Sequence, residues 1–175
     1  MVLRKKYLQL LLISGALILI DQWTKFLVTI HIPLYFSVRV IDNFFNITHI
    51  RNAGVAFGLF ANHESEYKVL FFIVISAIAI VAILILFHQT PNNRRMVRIG
   101  LTLILSGAIG NLMDRVVHKE VIDFIDFYYQ KFHWPAFNVA DSCITIGVAL
   151  MILDLFWHHP EASVASKSPS GPLYK

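Results

Sequence analysis

The sequence predicts an all-α membrane protein built on four transmembrane helices. Hydrophobic residues make up 57% of its 175 residues and charged ones only 15%, against about 25% charged in soluble domains, and the mean hydropathy is +0.63. Four long apolar runs are separated by polar segments. The basic residues cluster beside those runs and form no stripe with interleaved aromatics. The formal net charge of +4 is therefore read as a topology signal, and a nucleic-acid surface is excluded. The single cysteine, Cys143, rules out an internal disulfide. At the start of an apolar helix, with no activating base, it reads as a buried small hydrophobe.

The first apolar run, Tyr7 to Ile20, follows Arg4-Lys5-Lys6 and has the outline of a signal peptide. The next residues, Asp21-Gln22-Trp23-Thr24-Lys25, are bulky and charged rather than a small-residue cleavage site, so a retained helix over about residues 7–30 is expected. Asp21 and Lys25 lie four apart on one helix face, with the acid N-terminal to the base, as a mutually neutralising pair or one that also positions site groups. Pro33 ends this helix. Val38 and Val40, then Phe45-Asn46-Ile47-Thr48-His49, alternate about an Asp42-Asn43 turn, the pattern of a small hairpin. In Arg51-Asn52-Ala53-Gly54-Val55-Ala56-Phe57-Gly58 the glycines permit tight backbone geometry. There Asn52 reads equally as a turn residue or as an amide aimed at an extended peptide.

The second helix, about 67–88, contains Val69 to Phe87, nineteen residues without a charge, with Lys68 placed to snorkel at one end. His88 to Arg98 holds Arg94, Arg95 and Arg98. The third helix, about 97–117, offers a small-residue surface at Ser106-Gly107-Ala108-Ile109-Gly110 for close packing in lipid and ends in Asp114-Arg115. His118 to Pro135 is read as a second outer loop. The fourth helix, about 138–158, opens on Asn138 and Asp141, where capping preference and helix dipole favour polar and anionic groups; Asp154 near its other end reads as interfacial. Residues 1–159 then form a single membrane domain, and 160–175 a disordered tail rich in Ser and Pro. Arg4, Lys5 and Lys6 share one side with Arg94, Arg95 and Arg98. That predicts both termini in the cytoplasm and Asp114, Asp123 and Asp141 at the outer face.

Carboxylates at membrane boundaries are costly to bury. Two brought within about 3 Å share a proton near neutral pH, so one can act as general base on water while the other protonates the reacting carbonyl or leaving amine. Asp114 is the deepest of the three, and its neighbour Arg115 suggests an ion pair there; a pair of Asp114 with Asp141 is the runner-up. Other chemistries fare worse. His63-Glu64-Ser65-Glu66 lacks the second histidine of a zinc-peptidase helix, and no regular spacing unites His118, Glu120 and Asp123 as metal ligands. Nothing local brings Ser142 or Ser106 to Lys25. Paired acids in a proton-coupled transporter remain the alternative from a different class.

Asp21-Gln22-Trp23-Thr24-Lys25, Asn52-Ala53-Gly54-Val55-Ala56-Phe57-Gly58, Gly110-Asn111-Leu112-Met113-Asp114-Arg115 with Val121-Ile122-Asp123-Phe124, and Phe137-Asn138-Val139-Ala140-Asp141 together resemble the motifs of the lipoprotein signal peptidases, or signal peptidase II, over about Tyr7 to Trp157. The resemblance implies an aspartic endopeptidase of the bacterial inner membrane, a target of globomycin-type peptides. It would work as a monomer among membrane lipids, without metal or other cofactor, at the periplasmic face. Its substrates would be diacylglyceryl-modified prolipoproteins, cut before the lipidated cysteine. The catalytic pair carries over to Asp123 and Asp141. Asn52, Asn111, Arg115 and Asn138 match polar positions lining the site, and Asp21, Lys25, Asp114, Gly54 and Ala140 match supporting ones. The family fold adds a small extracytoplasmic β-cradle, which suits the hairpin.

Overall fold

The computed structural model describes residues 2–54 and 66–157. Val55 to Gly58, His63 to Ser65 and the tail from 160 lie outside them. Among the described residues, four helices are long and apolar enough to cross a membrane: α1 (Val2–His31), α2 (Glu66–Gln89), α3 (Arg95–His118) and α4 (Val139–Trp157). Each lies within a few residues of its expected range, except that α1 starts earlier and takes Lys5 and Lys6 into the helix. Large apolar side chains such as Leu11, Leu19, Phe71, Ile78, Val117 and Leu155 face outward. That inverts the pattern of a soluble bundle and suits a lipid surround.

Helix α3 touches all three other helices. Its role follows from its small residues: a Cβ on Gly107 would stand 2.2 Å from the Ala140 carbonyl oxygen, and one on Gly110 would stand 2.7 Å from an Asp21 carboxylate oxygen. Without a hydrophobic drive between helices in lipid, such close approach is what lets backbones pack and polar groups meet. Leu10, Ile83, Phe87, Leu101 and Leu105 form an apolar cluster at one end of the bundle. Val28, Ile32 and Phe124 join α1 to a sheet at the other.

That sheet corrects the expected hairpin-plus-loop. It is antiparallel with four strands in the order β1 (Ser37–Ile41), β2 (Phe45–Asn52), β3 (Val121–Tyr129) and β4 (Phe132–His133). The hairpin turn forms as read, with Asn43 at φ 57, a conformation asparagine tolerates. The supposed outer loop supplies β3 and β4 instead. Its run Val121-Ile122-Asp123-Phe124 is buried throughout, so no polar alternation announced a strand. Lys119, left-handed at φ 65, caps α3 and turns the chain into β3. In the β2–β3 register Ile50 opposes Asp123 and Asn52 opposes Val121, which sets Asn52 diagonally beside Asp123 on one face.

Candidate active site

The site grows from the first turn of α4. Asn138 precedes the helix, and its side-chain oxygen accepts from the Asp141 backbone N–H at 2.9 Å while an Asp141 carboxylate oxygen reaches back to the Asn138 N–H at 3.3 Å. This reciprocal cap satisfies two helix-end donors at once. It also settles the amide's orientation: with its oxygen facing an N–H, the Asn138 NH2 must point the other way, and there it donates to Asp123 at 2.7 Å. One fully buried amide thus ties Asp141 to Asp123.

Two more asparagines are pinned by the same logic. The Asn111 oxygen accepts from Lys25 at 3.1 Å and from Asn138 at 3.2 Å, so its NH2 donates to Asp141 at 2.7 Å. The Asn52 oxygen accepts from the Gly54 N–H at 2.8 Å, so its NH2 donates to the second Asp123 oxygen at 3.0 Å. Each orientation follows from a donor that has no choice of role. Gly54, at φ 83, is required there, since a Cβ would overlap the Phe72 ring at 2.6 Å. Arg115 lies over that same ring, 5.4 Å from its centroid, donates to the Asn111 carbonyl, and is within electrostatic reach of Asp141, Asp114 and Asp123.

Behind this layer sits a buried ion cluster. The three donors of Lys25 meet Asp21 at 2.8 Å, Asp114 at 2.8 Å and Asn111. The Asp21–Lys25 pair forms as its spacing predicts. Asp114 does not pair with Arg115, because adjacent helix residues point about 100° apart and do not face each other. Instead both its oxygens are occupied, one by Gln22 at 2.9 Å, the other by Lys25 and the Ile122 N–H at 3.1 Å. Asp114 therefore anchors the start of β3 beside Asp123. Asp21 accepts the Ala140 N–H at 2.8 Å, an anion at a helix N-terminus, which accounts for Ala140 among the site positions. Gln22 was not singled out from the sequence; its place within the Asp21-to-Lys25 block was the available signal. Asp154, read as interfacial, is buried and bonded to Arg94. Among the described residues no group of three or more His, Cys, Asp or Glu forms a metal-ligand set; His118, Glu120 and Asp123 do not converge.

Asp123 is 1% exposed whereas Asp141 is half-buried. Burial pushes the Asp123 carboxyl up to about 6; the Asn52 hydrogen bond opposes this, the Asp141 charge adds to it, and Asn138 and Lys25 oppose it. Four carboxylates stand around two cations, Lys25 and Arg115, an imbalance that one held proton reduces.

The family model described as signal peptidase (SPase) II matches residues 13–157. Proteins called lipoprotein signal peptidase from Desulforapulum autotrophicum and Syntrophus aciditrophicus are each 45% identical to the chain, over 86% of it and 93% of the former protein, and 92% of it and 100% of the latter. Two solved bacterial membrane enzymes superpose with TM-scores of 0.74 and 0.75. Their identities are 32% and 35%, covering 95% and 86% of this chain and 94% of each of theirs.

Proposed function

The chain belongs to the signal peptidase II family, membrane aspartic proteases that cleave signal peptides from prolipoproteins, and from that premise we propose that Asp123 and Asp141 are its catalytic pair. The observation that carries the assignment is the Asn138 amide, which holds one carboxylate through its NH2 and the other through a helix cap. In this reading one carboxyl is protonated and the other ionised. The ionised one takes a proton from water as the oxygen attacks the scissile carbonyl carbon, and the protonated one gives its proton to the carbonyl oxygen. A proton then passes to the amide nitrogen, the C–N bond breaks, and the pair regains its single proton. Asn52, Asn111, Arg115 and Asn138 orient the acids and the peptide, while Asp21, Lys25 and Asp114 hold the scaffold.

The substrate we propose is a diacylglyceryl-modified prolipoprotein, cut before its lipidated cysteine. Such a substrate arrives with its own apolar helix and lipid chains, so it must enter sideways from the bilayer. A site at the helix ends beneath a sheet suits that entry. The basic residues at the other end of the bundle support both termini in the cytoplasm and a site at the outer face of a bacterial inner membrane. Purified full-length protein in detergent should cut a lipidated peptide carrying this cleavage sequence with a chelator present. An intact peptide under those conditions would overturn the reading and leave the acids to a proton-coupled transporter.

A pH profile tests the pair itself. With Asp123 at about 6, raising pH through that region strips the one proton, leaves no acid, and should lower kcat/KM; the limb belongs to the coupled pair. Asn52 donates to the ionised form, so Asn52→Ala should move this alkaline limb to higher pH. An unmoved limb, or one moved lower, counts against the assignment.

A further inference from the structure

We infer that the end of the bundle opposite the carboxylates carries a binding site for a phosphate-bearing anion of the kind an anionic phospholipid headgroup presents. Between α1, α2 and α3 lies a cavity of about 410 Å³ whose lining includes Lys6, Gln9, Phe87, Arg95, Arg98 and Thr102, completed by aliphatic side chains and, among the described residues, by no carboxylate. The neighbouring Arg94 is already bonded to Asp154 and lies outside the lining. Arg98 and Asp114 are sixteen residues apart on α3, roughly 24 Å at 1.5 Å per residue, so a ligand here does not touch the reaction centre.

Two details point to an occupant. Lys6 is 4% exposed; its ammonium donates to the carbonyls of His88 and Thr90 at the end of α2, at 3.1 and 2.8 Å, and lies 5.0 Å from the centroid of the Phe87 ring, so it is a buried cation with no carboxylate among its described partners. The Nε of Arg98 is buried without a hydrogen-bond partner among the described residues, and Arg98 lies near enough to Lys6 for the two positive charges to oppose each other. Topology alone explains none of this, because exposed cations such as Lys5 satisfy the charge bias without a cavity or buried donors. A guanidinium matches phosphate in two parallel bonds, and the aliphatic part of the wall suits the first carbons of an acyl glycerol. Basic pockets between helices at a membrane boundary are a recognised way to hold such headgroups.

The test uses full-length protein in detergent with equal amounts of phosphatidylglycerol and phosphatidylcholine, read by native mass spectrometry. Wild type should retain one phosphatidylglycerol in preference to phosphatidylcholine. Arg95→Gln with Arg98→Gln should cut that preference about tenfold. Lys5→Gln, which removes a charge outside the cavity, should change it less than about twofold, and Arg95→Lys with Arg98→Lys should keep most of it. Added inorganic phosphate that displaces the lipid assigns recognition to the phosphate group; lipid that stays bound assigns it to headgroup and chains together. Both outcomes support the site. Equal retention in the glutamine variant, or an equal loss in Lys5→Gln, overturns it. Arg95 is exposed, so Arg95→Gln alone keeps the test decisive if the double variant fails to fold.

Discussion

Asp123→Asn and Asp141→Asn should each leave a folded, membrane-inserted protein whose cleavage of a lipidated prolipoprotein is down about a thousandfold or more. The acid and base act as a unit, each role contributing about 10²–10⁴, so the double variant should be little worse than either single one. Folding survives for different reasons at the two positions. At Asp141 the amide can keep its oxygen toward Asn111, which now bonds it at 2.7 Å, and gives up only the longer 3.3 Å bond from the Asn138 N–H. At Asp123 both oxygens accept amide NH2 groups, so one asparagine NH2 must face another donor. That mismatch costs roughly 1–3 kcal/mol, offset by removing a buried charge. Ordinary turnover by either variant would sink the pair. Asp114→Asn separates the runner-up pairing: its oxygens serve Gln22, Lys25 and the Ile122 N–H, so it should lose stability more than turnover.

The helices were legible because four apolar runs long enough to span leave few alternatives, and the Asp21–Lys25 pair because helical spacing is rigid. The third and fourth strands were not legible. Val121 to Phe124 is buried on both faces, so the run shows neither alternation nor a turn signal, and its aspartate looked like a loop residue. Asp114 was matched to its sequence neighbour, although a helix turns adjacent side chains apart, and its true partner lies on another helix. Asp154 looked interfacial because Arg94, the partly exposed partner that lets it be buried, lies sixty residues away. The network that aims Asn52, Asn111 and Asn138 had no sequence signal beyond their presence in the motif blocks. Asn111 is oriented by Lys25 on another helix; Asn52 and Asn138 are oriented by N–H groups two and three residues on, but the Asp123 that their NH2 groups reach is brought to them only by three-dimensional packing.

Lys25→Met should be the most destabilising single change among the supporting residues. Met keeps the length and apolar character of the stem, so the variant tests the charge. Removing the ammonium leaves Asp21 and Asp114 buried without their shared cation, and breaking such a pair costs about 3–5 kcal/mol. In a chain of this size that corresponds to a Tm lower by roughly 6–20 °C. A shift within a degree or two would show that the cluster is not an energetic unit. The cause is separable from lost packing by adding Asp114→Asn: neutralising one stranded acid should restore part of the loss, with a coupling of about 0.5–3 kcal/mol. Purely additive losses would contradict the ion cluster. Lys25 also holds the Asn111 oxygen, and that bond helps keep the Asn111 NH2 on Asp141. The folded fraction of Lys25→Met should therefore also turn over more slowly, because the scaffold that neutralises two acids also aims the amide that holds the third.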